Sequence, residues 1–231
     1  MDWRRILLLV LACCGPPSLA QMPGMEGRQV PGNASQEFRD RADAQYRKIL
    51  LNLAKRGMLD DDPAMLKRVQ RVSAGLIHAA TAIKAQAAAW TWEIHVTSDP
   101  RQSAFCMAGG KLLVGGPFVQ KLVLDDAELA MLIGHEIAHA LAEHRRERLP
   151  ASLDADLSWE LKQSEIAMAQ EIEADEIGMD LAHRAGWPAS AMVSFYEKLA
   201  ANELPGTFNS SHPSASARLA TAKAMAERLG R

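Results

Sequence analysis

Cysteine is scarce in this chain of 231 residues: only Cys13, Cys14 and Cys106 occur. Two of the three fall within the first 20 residues, so a chain trimmed there keeps Cys106 alone and can form no internal disulfide. Cys106 is then expected as a small buried hydrophobe. Charge excess of either sign is also missing. The 26 Lys and Arg against 28 Asp and Glu give a formal net charge of −2, which argues against a nucleic-acid partner. Beyond the N-terminus no uninterrupted apolar stretch is long enough for a transmembrane helix, because residues 74–90 contain His78 and Lys84. Histidine is sparse as well, with seven in the chain, so a pair at metal-ligand spacing is worth weighing.

Such a pair exists in the apolar run 128–144, ELAMLIGHEIAHALAEH. His135-Glu136-Ile137-Ala138-His139 is an H-E-x-x-H pattern. On a helix, residues four apart stack on one face, so His135 and His139 can offer two imidazole nitrogens to one ion. Glu136 is rotated by about 100° from His135, which sets its carboxylate beside the ion as a general base. Two surface histidines on an ordinary helix would give the same letters. Against that, Leu129, Met131, Leu132, Ile133, Ile137 and Leu141 make the helix apolar on most sides, and buried histidines beside a buried Glu are costly without a partner. Catalytic zinc takes three protein ligands. Glu171, in the helical stretch 164–183, is the best candidate for the third. Asp175, one turn further on, can accept the other ring N–H of a liganding histidine. Glu173 points elsewhere and is expected in solvent.

H-E-x-x-H followed by Glu171-Ile172-Glu173-Ala174-Asp175 resembles the zinc metallopeptidases that include the CAAX prenyl endopeptidases, HtpX, Oma and the BepA-like proteins. The stretch 103–114, SAFCMAGGKLLV, is similar to that family's N-A-F-x-x-P-G-G-x-I-x-V segment, with Ser103 and Ala108 in place of Asn and Pro. Ser211-His212-Pro213 with Arg218 resembles its late histidine-proline element. The likeness runs from about residue 60 to the C-terminus. It implies one zinc ion per chain and a small sheet whose edge lies along the cleft, so that Ala104, Phe105, Cys106 and Met107 would receive an extended peptide by strand addition. It also puts His212 over the site, either as a removable fourth metal ligand or as a donor to the oxyanion, and gives Arg218 the loop or the substrate carbonyl to hold.

Taken in order, the chain opens with Arg4, Arg5, an apolar run from Ile6 to Cys14, and Gly15-Pro16-Pro17 before Ser18-Leu19-Ala20. This reads as a signal peptide over residues 1–20, or as a lipoprotein signal with a lipid anchor at Cys13; both predict an exported protein, soluble in the periplasm or tethered to its membrane. Residues 21–34 read as a flexible linker and 35–231 as a single metallopeptidase domain. Helices are expected over 35–56, from Asp62-Pro63 to Ile83, from an Asp125 capping box to about 148–150, over 164–183, from Trp187-Pro188 to about Asn202, and over 215–229. Trp92 to Val96 alternates as a strand, and 104–107 with 111–114, joined by Ala108-Gly109-Gly110, reads as a hairpin or as a strand broken by a glycine turn. Residues 150–163 read as a loop or lid, and His78, His144 and His183 as surface histidines.

The fold expected is mainly α (α+β), a helical metallopeptidase domain with a small sheet. The function expected is zinc-dependent hydrolysis of unfolded or misassembled envelope proteins, with Glu136 as base. A binding protein or chaperone in which His212 closes the metal site is the alternative, and a non-proteolytic hydrolase using the same metal chemistry is a third reading.

Overall fold

The computed structural model describes residues 32–144, 157–202 and 214–230. Among these are seven α-helices and one three-stranded sheet, so the chain is mainly α with a small β component, as expected. Helix α1 (Gly32–Lys55) begins three residues inside the stretch read as linker. The last glycine of that stretch is Gly32, and nothing after it breaks a helix. Helix α2 (Pro63–Ile83) starts where the Asp-Pro pair predicts, with the Asp62 side chain accepting from the Met65 N–H.

The sheet consists of β1 (Glu93–Thr97), β2 (Ala104–Met107) and β3 (Lys111–Gly115) in the order β1-β3-β2. β1 runs parallel to β3, and β2 pairs antiparallel with it through the expected glycine turn, where Gly109 and Gly110 have φ of 84° and 80°. β2 and β3 are buried throughout, because helices cover both faces. Phe105, Met107 and Leu113 pack on α1 with Tyr46 and Leu53, and the Tyr46 hydroxyl donates to the Leu112 carbonyl at 2.6 Å. Ala104, Cys106, Leu112 and Val114 face the main core, so Cys106 is the buried hydrophobe its surroundings require.

After a short helix α3 (Gly116–Lys121) comes α4 (Asp126–Leu141), which carries the H-E-x-x-H pattern. Its capping box is complete: Asp125 accepts from the Glu128 N–H at 2.8 Å, and Glu128 accepts from the Asp125 N–H at 2.9 Å. Ile133, Ile137 and Leu141 are wholly buried, each contributing about 1.5–3 kcal/mol of apolar burial. The helix stops at Leu141, well short of the end expected near residues 148–150. Ala142 closes the last turn, Glu143 turns left-handed at φ 57°, and the Lys84 ammonium donates to the Leu141 carbonyl. Helix α5 (Leu157–Arg184) corrects the expectation of a loop over 150–163, since its helical part begins at Leu157. Residues 145–156 lie outside the described residues.

Helices α4 and α5 cross at two glycines. A Cβ on Gly134 would sit 2.7 Å from the Gly178 carbonyl oxygen, and one on Gly178 would sit 2.7 Å from the His135 nitrogen, so the two backbones touch. Helices α6 (Ser190–Ala201) and α7 (Ala215–Leu229) close the core with Met192, Phe195, Tyr196, Ala222 and Met225. His78 and His183 are on the surface, as expected. No described helix is long and apolar enough to cross a membrane.

Candidate metal centre

His135 and His139 project from one face of α4, with their Nε2 atoms 3.0 Å apart. The crossing at Gly134 and Gly178 brings α5 close enough for Glu171 to reach both. Glu171 Oε2 lies 3.3 Å from His135 Nε2, and Oε1 lies 3.3 Å from His139 Nε2. Three donor atoms thus converge from two helices, and all three residues are buried. The chemistry of the set fits a divalent metal. Ligands at about 2.0–2.1 Å in a tetrahedral arrangement stand roughly 3.3 Å from each other. Two imidazoles and one carboxylate, the borderline-soft set that zinc accepts, occupy that spacing here.

Behind the first ligand lies a buried charge cluster. Asp175 Oδ1 is 3.0 Å from His135 Nδ1; with Nε2 turned to the metal, Nδ1 carries the proton and donates. Arg218, from α7, donates to both oxygens of Asp175, its Nε at 2.8 Å, and its Nη1 lies 2.9 Å from Glu171 Oε2. The Tyr196 hydroxyl donates to Asp175 as well, and the guanidinium stands 4.8 Å above the Tyr196 ring.

These contacts push the titrating groups apart. Burial and the Arg218 charge both disfavour a charged His135, yet its bonds to Asp175 and Glu171 outweigh them and raise it to about 9 in the metal-free protein. Burial, with the neighbouring His135 charge, lowers His139 to about 3. Burial works against ionised Asp175, but His135 and Arg218 prevail and hold it down at about 2. Burial drives the Tyr196 phenol well above its ordinary range.

All but one of the site residues singled out from the sequence lie among the described residues. Glu136 is 5 % exposed beside the ligand cluster, and among the described residues its carboxylate has no hydrogen-bond or ion-pair partner. Arg218 is buried at 4 % and engaged with Asp175 and Glu171; the loop it was expected to hold lies outside the described residues. His144 was expected on the surface but is 1 % exposed, with its Nδ1 2.8 Å from His139 Nδ1; Glu173, expected in solvent, lies 3.2 Å from His144 Nε2. Ala104, Phe105, Cys106 and Met107 form an edge strand with buried side chains. His212 lies outside the described residues. The sequence reading missed Tyr196, Gly134 and Gly178. A glycine in the middle of each metal-bearing helix was a usable signal of close approach.

With this geometry established, comparison with known proteins gives a consistent result. The sequence model of peptidase family M48 matches residues 63–159 and 158–226. The chain is 34 % identical over 161 residues to the mitochondrial metalloendopeptidase OMA1 of Arabidopsis thaliana, covering 60 % of this chain and 33 % of that protein. To the OMA1 of Schizosaccharomyces pombe it is 30 % identical over 151 residues, 55 % of this chain and 44 % of that one. A shorter stretch of 57 residues, 25 % of this chain and 11 % of the relative, is 40 % identical to human OMA1. The chain therefore spans less than half the length of these relatives. They also overturn the expectation of an exported, periplasmic protein, for all five curated relatives that match are named as mitochondrial. An arginine pair, a short apolar run and a small-residue stop describe a segment that can pass a membrane without saying which membrane. That segment, with the anchor position Cys13, lies outside the described residues.

Proposed function

The chain belongs to peptidase family M48, and from that premise we propose that it is a zinc-dependent endopeptidase acting on unfolded or extended polypeptides. The observation that carries the reading is the convergence of His135, His139 and Glu171 with Glu136 alongside. Zinc, when bound, supplies a Lewis acid that brings the pKa of water towards about 7 and polarises a carbonyl. The protein's own part is proton handling and orientation. Glu136 accepts the proton of the attacking water and returns it to the departing amine nitrogen. Asp175, fixed by Arg218 and Tyr196, keeps His135 in the tautomer that leaves Nε2 free to ligate.

Substrate binding is assigned to the outer edge of β2. The side chains of Ala104 and Cys106 are used by the main core, and those of Phe105 and Met107 by α1. A peptide added there would be held through main-chain hydrogen bonds alone, with little sequence preference, which suits a quality-control protease for misassembled proteins. For His212 the proposal keeps the two roles that the family resemblance implies, so that its replacement by Ala would raise basal proteolysis if it blocks the metal and lower it if it assists.

Casein digestion by zinc-loaded protein, run beside Glu136→Gln and a chelated sample, tests the proposal. Wild-type digestion with a loss of at least about 100-fold in Glu136→Gln, zinc content unchanged, is expected. Zinc bound in both proteins with no digestion by either overturns it.

A further inference from the structure

His135 and His139 are alike in the sequence pattern, but the structure supports them differently. His135 is backed by an anionic carboxylate within a cluster of three partners. His139 is backed by another imidazole: its Nδ1 lies 2.8 Å from His144 Nδ1, and the far nitrogen of that ring, Nε2, lies 3.2 Å from Glu173 Oε2. We infer that His144 is the positioning residue for His139, and that Glu173 anchors His144 from the protein surface. The inference rests on the reading of His139 as a zinc ligand.

Hydrogen-bond chemistry allows one neutral arrangement. If His139 Nε2 faces the metal, Nδ1 bears its proton and must donate. His144 Nδ1 must then accept, which leaves the His144 proton on Nε2, directed at a carboxylate that can only accept. Glu173 therefore sets the tautomer of His144, and His144 sets the tautomer and plane of His139. Both nitrogens of both rings are used.

The backbone is shaped for this contact. On a continuing helix, residues five apart point about 140° away from each other, so residues 139 and 144 would not meet. Here α4 ends at Leu141 and Glu143 takes φ 57°, a conformation that costs a non-glycine residue about 1 kcal/mol and turns the chain back under the helix. The result is His144 at 1 % exposure with its ring centroid 4.9 Å from that of His139. Lys84, donating to the Leu141 carbonyl and lying 4.0 Å from Glu143, ties down the same turn.

The test measures zinc affinity by chelator competition on the whole chain, with no need for proteolysis. His144→Ala is expected to loosen zinc 10- to 100-fold, the usual effect of removing a ligand's hydrogen-bond partner. His144→Asn puts an acceptor oxygen where Nδ1 stood and is expected to hold zinc within about threefold of wild type. A ring N–H correlation spectrum of the zinc-loaded protein should show a protected His139 Nδ1 proton in wild type and His144→Asn, absent in His144→Ala. Wild-type affinity in His144→Ala overturns the assignment, as does His144→Asn loosening zinc as much as Ala. Should the Ala variant not fold, the Asn variant decides alone: near wild-type affinity with the protected proton supports the assignment, and tenfold weaker binding overturns it. Wild type that binds no zinc overturns this inference and the zinc reading together, whereas a zinc-bound but inactive wild type counts only against the protease.

Discussion

Replacing Gly178 by Ala tests whether the metal centre depends on two helices touching. The added Cβ would lie 2.7 Å from the His135 nitrogen and 2.9 Å from both the Gly134 carbonyl carbon and the His135 Cα, all backbone atoms that cannot rotate away. Ordinary contact begins near 3.4 Å, so α5 must retreat from α4 by about 0.7 Å. Helix propensity favours Ala by about 1 kcal/mol, against about 1–3 kcal/mol for overpacking, so net destabilisation should be modest. The metal site has less tolerance. Glu171 rides on α5 while both histidines ride on α4, and the 3.3 Å separations that suit zinc would open towards 4 Å, whereas metal–ligand distances hold to about 0.2 Å. We expect zinc affinity to fall at least 10-fold while the metal-free protein loses only a few degrees of melting temperature. Chelator competition and thermal unfolding, run on the same preparation, separate the two effects. A Gly178→Ala protein with wild-type affinity and wild-type melting would refute the argument that backbone contact sets the site.

Arg218→Met should cost the metal-free protein about 3–5 kcal/mol in urea unfolding, because Asp175 and Glu171 lose their shared buried cation. Tyr196→Phe, which removes one donor to Asp175, should cost about 1–3 kcal/mol by the same measurement. Metal-free stability should peak near pH 6.5. His135, raised to about 9, contributes stability that is present below 6.5 and lost as pH rises to 9; His139, lowered to about 3, makes stability fall as pH drops below 6.5. Each limb should slope by about 1.4 kcal/mol per pH unit, and a melting temperature that is flat from pH 5 to 8 would contradict both shifts. Zinc loading at pH 7.5 should release about one proton, from His135, readable by calorimetry in two buffers of different ionisation enthalpy.

Local signals were legible in the sequence wherever the determinant lies within a few residues. The Asp62 cap, the Asp125–Glu128 capping box, the glycine turn between β2 and β3 and the span of α7 each follow from neighbours in the chain. Less legible was any feature set by contact between distant segments. The α4–α5 crossing depends on two glycines 44 positions apart; each signals a close approach, but neither names the other as its partner. The burial of β2 on both faces depends on α1 covering the side away from the core, and nothing within the strand announces that helix.

The same distinction divides the site. Convergence of His135, His139 and Glu171 was readable because helical spacing places both histidines on one face and because the third ligand lies in a helix of its own. Asp175 was readable because it shares a helix face with Glu171. Arg218 was noticed, but its bonds to Asp175 and Glu171 were not: the sequence does not show that α7 points inward, towards the carboxylates this buried guanidinium pairs with. His144 was misread for a more instructive reason. Its offset from His139 is not a helical one, so any argument from periodicity places the two rings apart. Only where the helix stops at Leu141, and Glu143 adopts a conformation that side chains rarely tolerate, do they meet. Regular spacing therefore reveals the atoms that would hold the metal, while the groups that orient those atoms depend on where regular structure ends.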